Sequence, residues 1–252
     1  MRFILLFSLF AFSIQVTYAQ DSTDVNLRRN TIKYDLTSNL LYRNSINFSF
    51  ERVVKQNQSF VVSAGVQEFP SILRFGETVE AKGEGNRSGY KFGGEYRFYL
   101  KKENKHAAPR GVYIGPYFTA LGFRSAQEIV YNGGLEPEEA NLESKFNIYN
   151  IGAQLGYQFV FNDRWTLDLV LIGPSVSRYK FNLKLDGDFE FDPQEVNNEI
   201  LGGLINRIPL LEEFLTEKEV DRDGTLNTFA LGYKYQFLVG YRFGKYKAMK
   251  KK

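Results

Sequence analysis

The sequence predicts an all-β chain: a closed antiparallel eight-stranded transmembrane β-barrel with long loops at one end. Three observations carry that expectation. From Leu231 to Phe243 every odd position is apolar or aromatic (Leu231, Tyr233, Tyr235, Phe237, Val239, Tyr241, Phe243), while the even ones are Gly232, Lys234, Gln236, Leu238, Gly240 and Arg242. Period two with one greasy and one mostly polar face marks a strand. At about 3.3 Å per residue and a tilt near 45°, this stretch climbs roughly 28 Å, close to the apolar band of an outer-membrane barrel. Seven further stretches repeat the alternation, and their connections run short and long in turn.

Composition narrows the classes. The chain has 252 residues, a formal charge of +3, no cysteine and an aromatic content of 16%, nearly all Phe and Tyr. Mean hydropathy is -0.33, and no segment after the leader approaches the roughly 20 apolar residues of a spanning helix. A barrel escapes that test, because only alternate residues meet lipid. Without cysteine there is neither a disulfide framework nor a thiolate metal site. The near-balanced charge gives no support for nucleic-acid binding, despite a pI of about 8.8.

Residues 1–19 have the layout of a secretory signal: Arg2, an apolar run from Phe3 to Phe12, then Thr17 and Ala19 before Gln20. A membrane anchor or buried strand is the rival reading, and the run is too short to span a bilayer. Residues 20–30 form a polar lead-in, and the barrel is expected over 31–244. The first strand, Thr31 to Leu41, carries Ile32, Tyr34, Leu36 and Leu40 on one face and Lys33, Asp35, Thr37 and Asn39 on the other. Tyr42 to Asn44 is read as a tight hairpin into Ser45 to Val53, which alternates Ile46, Phe48 and Phe50 with Asn47, Ser49 and Glu51. Ser59 to Phe69 holds Phe60, Val62, Ala64 and Val66; Gly89 to Lys101 sets Tyr90, Phe92, Tyr96 and Phe98 against Lys91, Glu95 and Arg97. The fifth strand begins near Gly111, and Pro116 within it predicts a bulge. Phe146 to Phe161 opposes Ile151, Leu155, Tyr157 and Phe159 to Gln154 and Gln158. Trp165 to about Leu183, with Leu167, Leu169 and Leu171 outward, is bent by Gly173 and Pro174. The eighth strand is the one described above, with Thr225 as an alternative start.

Loop lengths set the topology. Lys55 to Gln58, Lys102 to Arg110 and Asn162 to Arg164 are fairly short, whereas Pro70 to Ser88, Arg124 to Lys145 and Lys184 to Gly224 are long. Short turns at one end and long loops at the other are the habit of bacterial outer-membrane barrels, so the short-turn end is expected to be periplasmic. Closure also removes the apolar edges that an open sheet would leave unpaired in lipid.

With the leader, the eight alternating stretches, the Gly111-Val112-Tyr113-Ile114-Gly115-Pro116-Tyr117-Phe118 opening of strand five and the Tyr/Phe-rich last strand, most of the mature chain resembles small Bacteroidetes-type outer-membrane β-barrel proteins of the OmpA/OmpX-like class. The resemblance implies residence in the outer membrane of a Gram-negative-type bacterium, with outer-membrane lipid as the surrounding partner and no cofactor.

The non-lipid faces collect Lys33, Lys91, Arg97, Lys234 and Arg242 against Asp35, Glu51, Glu95 and Asp168. Side chains fill the interior of an eight-stranded barrel, and buried charges there must pair. The nine are therefore read as a salt-bridge plug, with a proton or ion path as the rival. An enzyme finds little support. His106, the single histidine, lies in the turn Lys102 to Arg110, at the opposite end from Ser71, Ser88, Ser125 and Ser144 in the long loops.

The loop Lys184 to Gly224 opens with Asp186, Asp188, Glu190 and Asp192 and closes with Glu217, Glu219, Asp221 and Asp223. Between them Leu201, Leu204, Ile205, Ile208, Leu211 and Phe214 recur at helical spacing, with Gly202, Gly203 and Pro209 interrupting. Packing on the barrel rim and docking of an unknown protein partner or ligand are the two readings. Asp186 to Asp192 lacks the glycine and terminal glutamate of an EF-hand, so no metal is assigned. Residues 245–252 form a basic tail, either a solvated end or a contact for acidic partners or headgroups.

The function expected is that of a non-enzymatic barrel with a filled lumen, acting as a structural or interaction protein through its extracellular loops. The rivals are a narrow, porin-like channel or small-ligand uptake barrel, a membrane enzyme, and a soluble lipocalin-like binder of a hydrophobic ligand. Alternation by itself does not say which face is which.

Overall fold

Alternating side chains leave the backbone extended, and extended segments satisfy their N–H and C=O groups only by pairing laterally. The structure, a computed structural model, describes residues 28–68, 78–133, 136–186 and 225–244. Among them, in chain order, are β1 (Asn30–Asp35), α1 (Leu36–Leu41), β2 (Arg43–Lys55), β3 (Gln58–Glu68), β4 (Val79–Tyr99), β5 (Gly111–Tyr131), β6 (Glu138–Phe161), β7 (Trp165–Ile172), β8 (Pro174–Asp186), β9 (Thr225–Tyr233) and β10 (Gln236–Phe243). The leader, most of the polar lead-in, the six apolar positions from Leu201 to Phe214 and the basic tail lie outside the described residues.

All pairings are antiparallel, and they run β1-β2-β3-β4-β5-β6-β7-β10 and back to β1, a ring through eight strands. Two of the ring strands continue past breaks. β8 follows β7 across Gly173, β9 precedes β10 across Lys234 and Tyr235, and the Lys234 amide donates to the Gly173 carbonyl at 2.7 Å, carrying the ladder over both breaks. The ring has a fixed stagger. Stepping one way from Tyr34, the partners are Phe48, Ala64, Phe92, Ala120, Tyr149, Arg178 and Phe229; the other way, Tyr34 faces Val239. Phe229 and Val239 stand ten residues apart on the same continued strand. With strands about 4.8 Å apart and a rise of about 3.3 Å per residue, that offset tilts eight strands by about 40°, inside the range of small barrels.

Local chemistry sets the turn end. Asn162 and Asp163 both take positive φ (48° and 55°), and the Arg164 amide donates to the Phe161 carbonyl at 3.0 Å. That is the type I′ geometry whose twist suits a hairpin, and Asn and Asp tolerate it best after Gly. Asn104 exchanges two 2.8 Å hydrogen bonds with the Val112 backbone and anchors the start of β5.

Five sequence expectations are corrected. The first strand stops at Asp35 instead of Leu41, because the Asp35 carboxylate accepts from the Ser38 amide (3.2 Å) and hydroxyl (2.7 Å) and so caps a one-and-a-half-turn helix, α1. The tight hairpin at Tyr42 to Asn44 is thereby replaced, with β2 entered through Asn44 at φ 45°. Pro116 makes no bulge: it sits opposite Ala153 in unbroken register with β6, and the β4 ladder resumes in the same register on either side of it. Its missing N–H falls on the β4 side, where the ladder skips Tyr96 and Arg97. Finally, most of Arg124 to Lys145 is not loop, since β5 and β6 continue as a paired hairpin to Tyr131 and Glu138. β4 likewise begins at Val79, ahead of the expected Gly89.

The two faces exchange character along these strands. Around the ring, the outward residues are apolar and exposed: Ile32, Phe48, Val62, Phe92, Ile114, Ile151, Phe237 and Val239. The inward ones are polar. Toward the loop end, on the long hairpin and β8, the order reverses: Ile129, Leu142 and Leu183 are buried on the concave side, while Glu128, Glu139, Glu143, Lys180 and Lys184 are exposed on the convex side.

Small residues make room inside the ring. Gly156 lies under the Tyr113 ring, where a Cβ would collide with its Cζ and hydroxyl, and Gly240 lies beside Lys33, whose Cγ would be 2.8 Å from a Cβ. Gly156→Val is therefore expected to destabilise the fold by about 1–3 kcal/mol through overpacking, measured as a lowered urea midpoint in lipid vesicles.

Candidate functional site

An inward charge every second residue on neighbouring strands brings side chains from distant parts of the sequence into one low-dielectric space. All nine charged residues expected on the non-lipid faces point into the ring. Lys33, Glu51, Arg97 and Asp168 are at most 1% exposed. Their geometry is that of a compact cluster. The Lys33 ammonium stands 2.7 Å from Glu51 Oε2 and 2.5 Å from Asp168 Oδ2, and donates to Gln158 Oε1 at 3.0 Å. The Arg97 guanidinium reaches Asp168 Oδ2 at 2.6 Å on one side and Glu95 Oε2 at 2.6 Å on the other. Lys234 completes the chain, 2.5 Å from Glu95 Oε1.

Three cations and three carboxylates thus cancel within the cluster, as burial demands, because an uncompensated ion in this environment costs several kcal/mol. Neutral groups occupy the remaining lone pairs. Tyr99 and Ser59 hydroxyls donate to Glu51 Oε1 (2.8 and 2.6 Å), the Tyr113 hydroxyl donates to Asp168 Oδ1 (2.7 Å), and Gln154 bridges Glu95 (2.7 Å) and Lys234 (2.9 Å). Arg97 also lies over the Tyr113 ring and Lys234 over the Tyr117 ring, at 4.2 and 4.6 Å from the centroids.

The other three predicted residues stand apart from this cluster. Asp35 and Lys91 pair at 2.6 Å toward the loop end, where Gln236 and Ser38 also donate to the Asp35 carboxylate. Arg242 lies at the turn end, 3.8 Å from the exposed Asp163 carboxylate and donating to the Arg28 carbonyl at 2.9 Å. Sequence reasoning missed the neutral partners Tyr99, Tyr113, Gln158 and Ser59. Their signal was parity, since each occupies the buried alternate face of its strand, and Tyr99 shares that face of β4 with Lys91, Glu95 and Arg97.

No family model matches the chain, and no curated protein matches it. A solved structure, that of a major outer membrane protein from Thermus thermophilus, is similar with a TM-score of 0.33 and 10% identity, over 86% of this chain and 98% of that one.

The arrangement holds charge still. Each carboxylate of the cluster is held by a cation and further donors on strands far apart in sequence, so moving one ion requires breaking several contacts at once. Among the described residues no group of His, Cys, Asp and Glu is arranged to hold a metal ion. None of their helices is long and apolar enough to cross a membrane, which says nothing of crossing by strands.

Proposed function

We propose that the chain is an outer-membrane β-barrel of eight strands, closed through the β1–β10 ladder, whose lumen is plugged by its ion-pair cluster and whose role is structural or interactive, not enzymatic. The observation that carries this reading is the exchange of faces along single strands. Around the ring, the exposed rows of Phe, Tyr, Val, Leu and Ile face outward over a charged interior, which water would not tolerate and lipid requires. Beyond the ring, on β5, β6 and β8, the arrangement reverts to that of a water-soluble sheet, as expected where the strands leave the bilayer. A soluble hydrophobic-ligand barrel would keep one polarity throughout, greasy inside.

The tilt of about 40° agrees with a small membrane barrel. The short turns fall together with the start of β1 and the end of β10, which supports a periplasmic position for that end and an external one for the long loops. Partner recognition is assigned to those loops, because the plug leaves the ring interior no open path.

Two measurements test the reading. Detergent-extracted protein should show heat-modifiable mobility on a gel, and reconstituted protein should pass negligible current across a planar bilayer. A large, stable single-channel current would replace the plug with the channel reading. Full solubility in plain buffer as a compact monomer would remove the membrane.

A further inference from the structure

Half-buried inward side chains gather at one level of the ring, and on β4 and β5 they continue toward the loop end through Gly89, Arg87 and Ser125. Along the inward face of β6, Gln158 and Gln154 are buried, Asn150, Ile148 and Phe146 are half-buried, and Ser144, Leu142 and Ala140 are buried again. β5 and β8 repeat the sequence. Leu121 is half-buried between Thr119 and Phe123, and Tyr179 between Ser177 and Phe181. Leu121, Ile148 and Tyr179 are direct cross-strand neighbours, and the row continues to Lys91 and Gly65, both also half-buried. Between the charge cluster and the packed apolar tier the inward side chains are thus incompletely covered, and we read this level as a chamber, lined by Leu121, Phe146, Ile148 and Tyr179 together with Asn150 and Lys91, which pairs with Asp35.

The ring wall is weakest beside that chamber. β1 ends at Asp35, and α1 takes the place of the strand that would have run between β2 and the upper part of β10. The helix meets β10 through a side chain, Thr37 Oγ1 accepting from the Phe237 amide at 2.7 Å. Beyond it β9 pairs with β8 alone among the described residues. On the outside the seam is apolar: Leu40 is 86% exposed, and Leu41, Ile46, Tyr233 and Tyr235 are exposed around it. On the inside, Tyr42, the residue after α1, stacks on Phe123 with ring centroids 5.7 Å apart, and Phe123 stacks on Phe146 at 6.4 Å. An aromatic path therefore leads from the seam to the chamber.

We infer that this seam between α1 and β9 is a lateral portal, and that the chamber takes the acyl chain of a lipid from the surrounding membrane. The inference rests on the transmembrane reading above. An acyl chain fits each part: the outer mouth lies in the lipid-facing belt, the path is aromatic, the chamber offers Leu121, Ile148 and Phe146, and the ion pairs beneath stop the chain from crossing further.

The test is fluorescence quenching by brominated acyl chains. The native Trp165 is replaced by Phe, and a single tryptophan is installed as Ile148→Trp in the chamber or Phe237→Trp on the outer wall. Each protein is refolded in dioleoylphosphatidylcholine vesicles with and without dibrominated chains, and folding is checked by heat-modifiable mobility. Both tryptophans should lose fluorescence to a comparable extent, and Leu40→Lys at the mouth should reduce the loss for Ile148→Trp while leaving Phe237→Trp unchanged. Leu121→Trp gives the same reading if Ile148→Trp does not fold. Quenching at Phe237→Trp with none in the chamber overturns the portal and leaves the membrane barrel standing; no quenching at either position overturns both. Chamber quenching indifferent to Leu40→Lys sends the chain over the rim, which also overturns the portal.

Discussion

Replacing Asp168 with alanine is expected to cost about 3–5 kcal/mol, because it leaves Lys33 and Arg97 sharing a buried space without the carboxylate that both contact. Asp168 is fully buried and accepts from Lys33, Arg97 and Tyr113. Its loss therefore strands two cations and a phenol at once. Asp168→Asn keeps the shape and an acceptor oxygen, so it should cost less than the alanine change. The double change Lys33→Met with Asp168→Leu removes one charge of each sign and should recover part of the loss, because apolar replacement of a buried pair is often neutral or stabilising. Urea midpoints for refolding into vesicles order the three variants. Equal costs for Asp168→Ala and Asp168→Asn, both near zero, would show that the cluster does not hold the fold together.

The neighbouring residue gives the second large effect, for the opposite reason. Leu169 points outward between Tyr157 of β6 and Phe237 of β10, and Leu169→Arg is expected to cost roughly 2–4 kcal/mol if the position lies near the bilayer midplane. A normal folding yield in lipid would place Leu169 in water. Together the two neighbours form an internal control: a charge is required at 168 and rejected at 169. A barrel turned inside out would reverse both outcomes.

The extent to which the site could be read locally follows from how strands work. Parity is a local property, so the placing of Lys33, Glu51, Arg97 and Asp168 on the polar face of their strands was readable from alternation, whereas the inward direction of that face was not. Nor was their pairing. Lys33 and Asp168 lie 135 residues apart, and which strand faces which across a ring depends on its stagger, which no single segment encodes. The neutral partners escaped notice for a related reason: a Tyr or Gln on an inward face carries no sign that demands a counter-ion.

The errors have physical causes too. Leu36 and Leu40 are four residues apart, a spacing that suits either one helix face or alternate strand positions. The choice fell to helix because the Asp35 carboxylate, steadied by Lys91 and Gln236, caps the turn. In the long β5–β6 hairpin the polarity is reversed, with charges outside and Ile129 and Leu142 inside. A search tuned to greasy outer faces reads such a stretch as loop.

The sequence by itself determined the period of the strands, the composition of their two faces and the alternation of short and long connections, because each is set by residues adjacent in the chain. Only the tertiary structure decided which face is outside, which charges meet, where the ring is sealed by a helix in place of a strand, and where an interior space remains. Those depend on closure, which brings the first strand against the last and fixes every register between them.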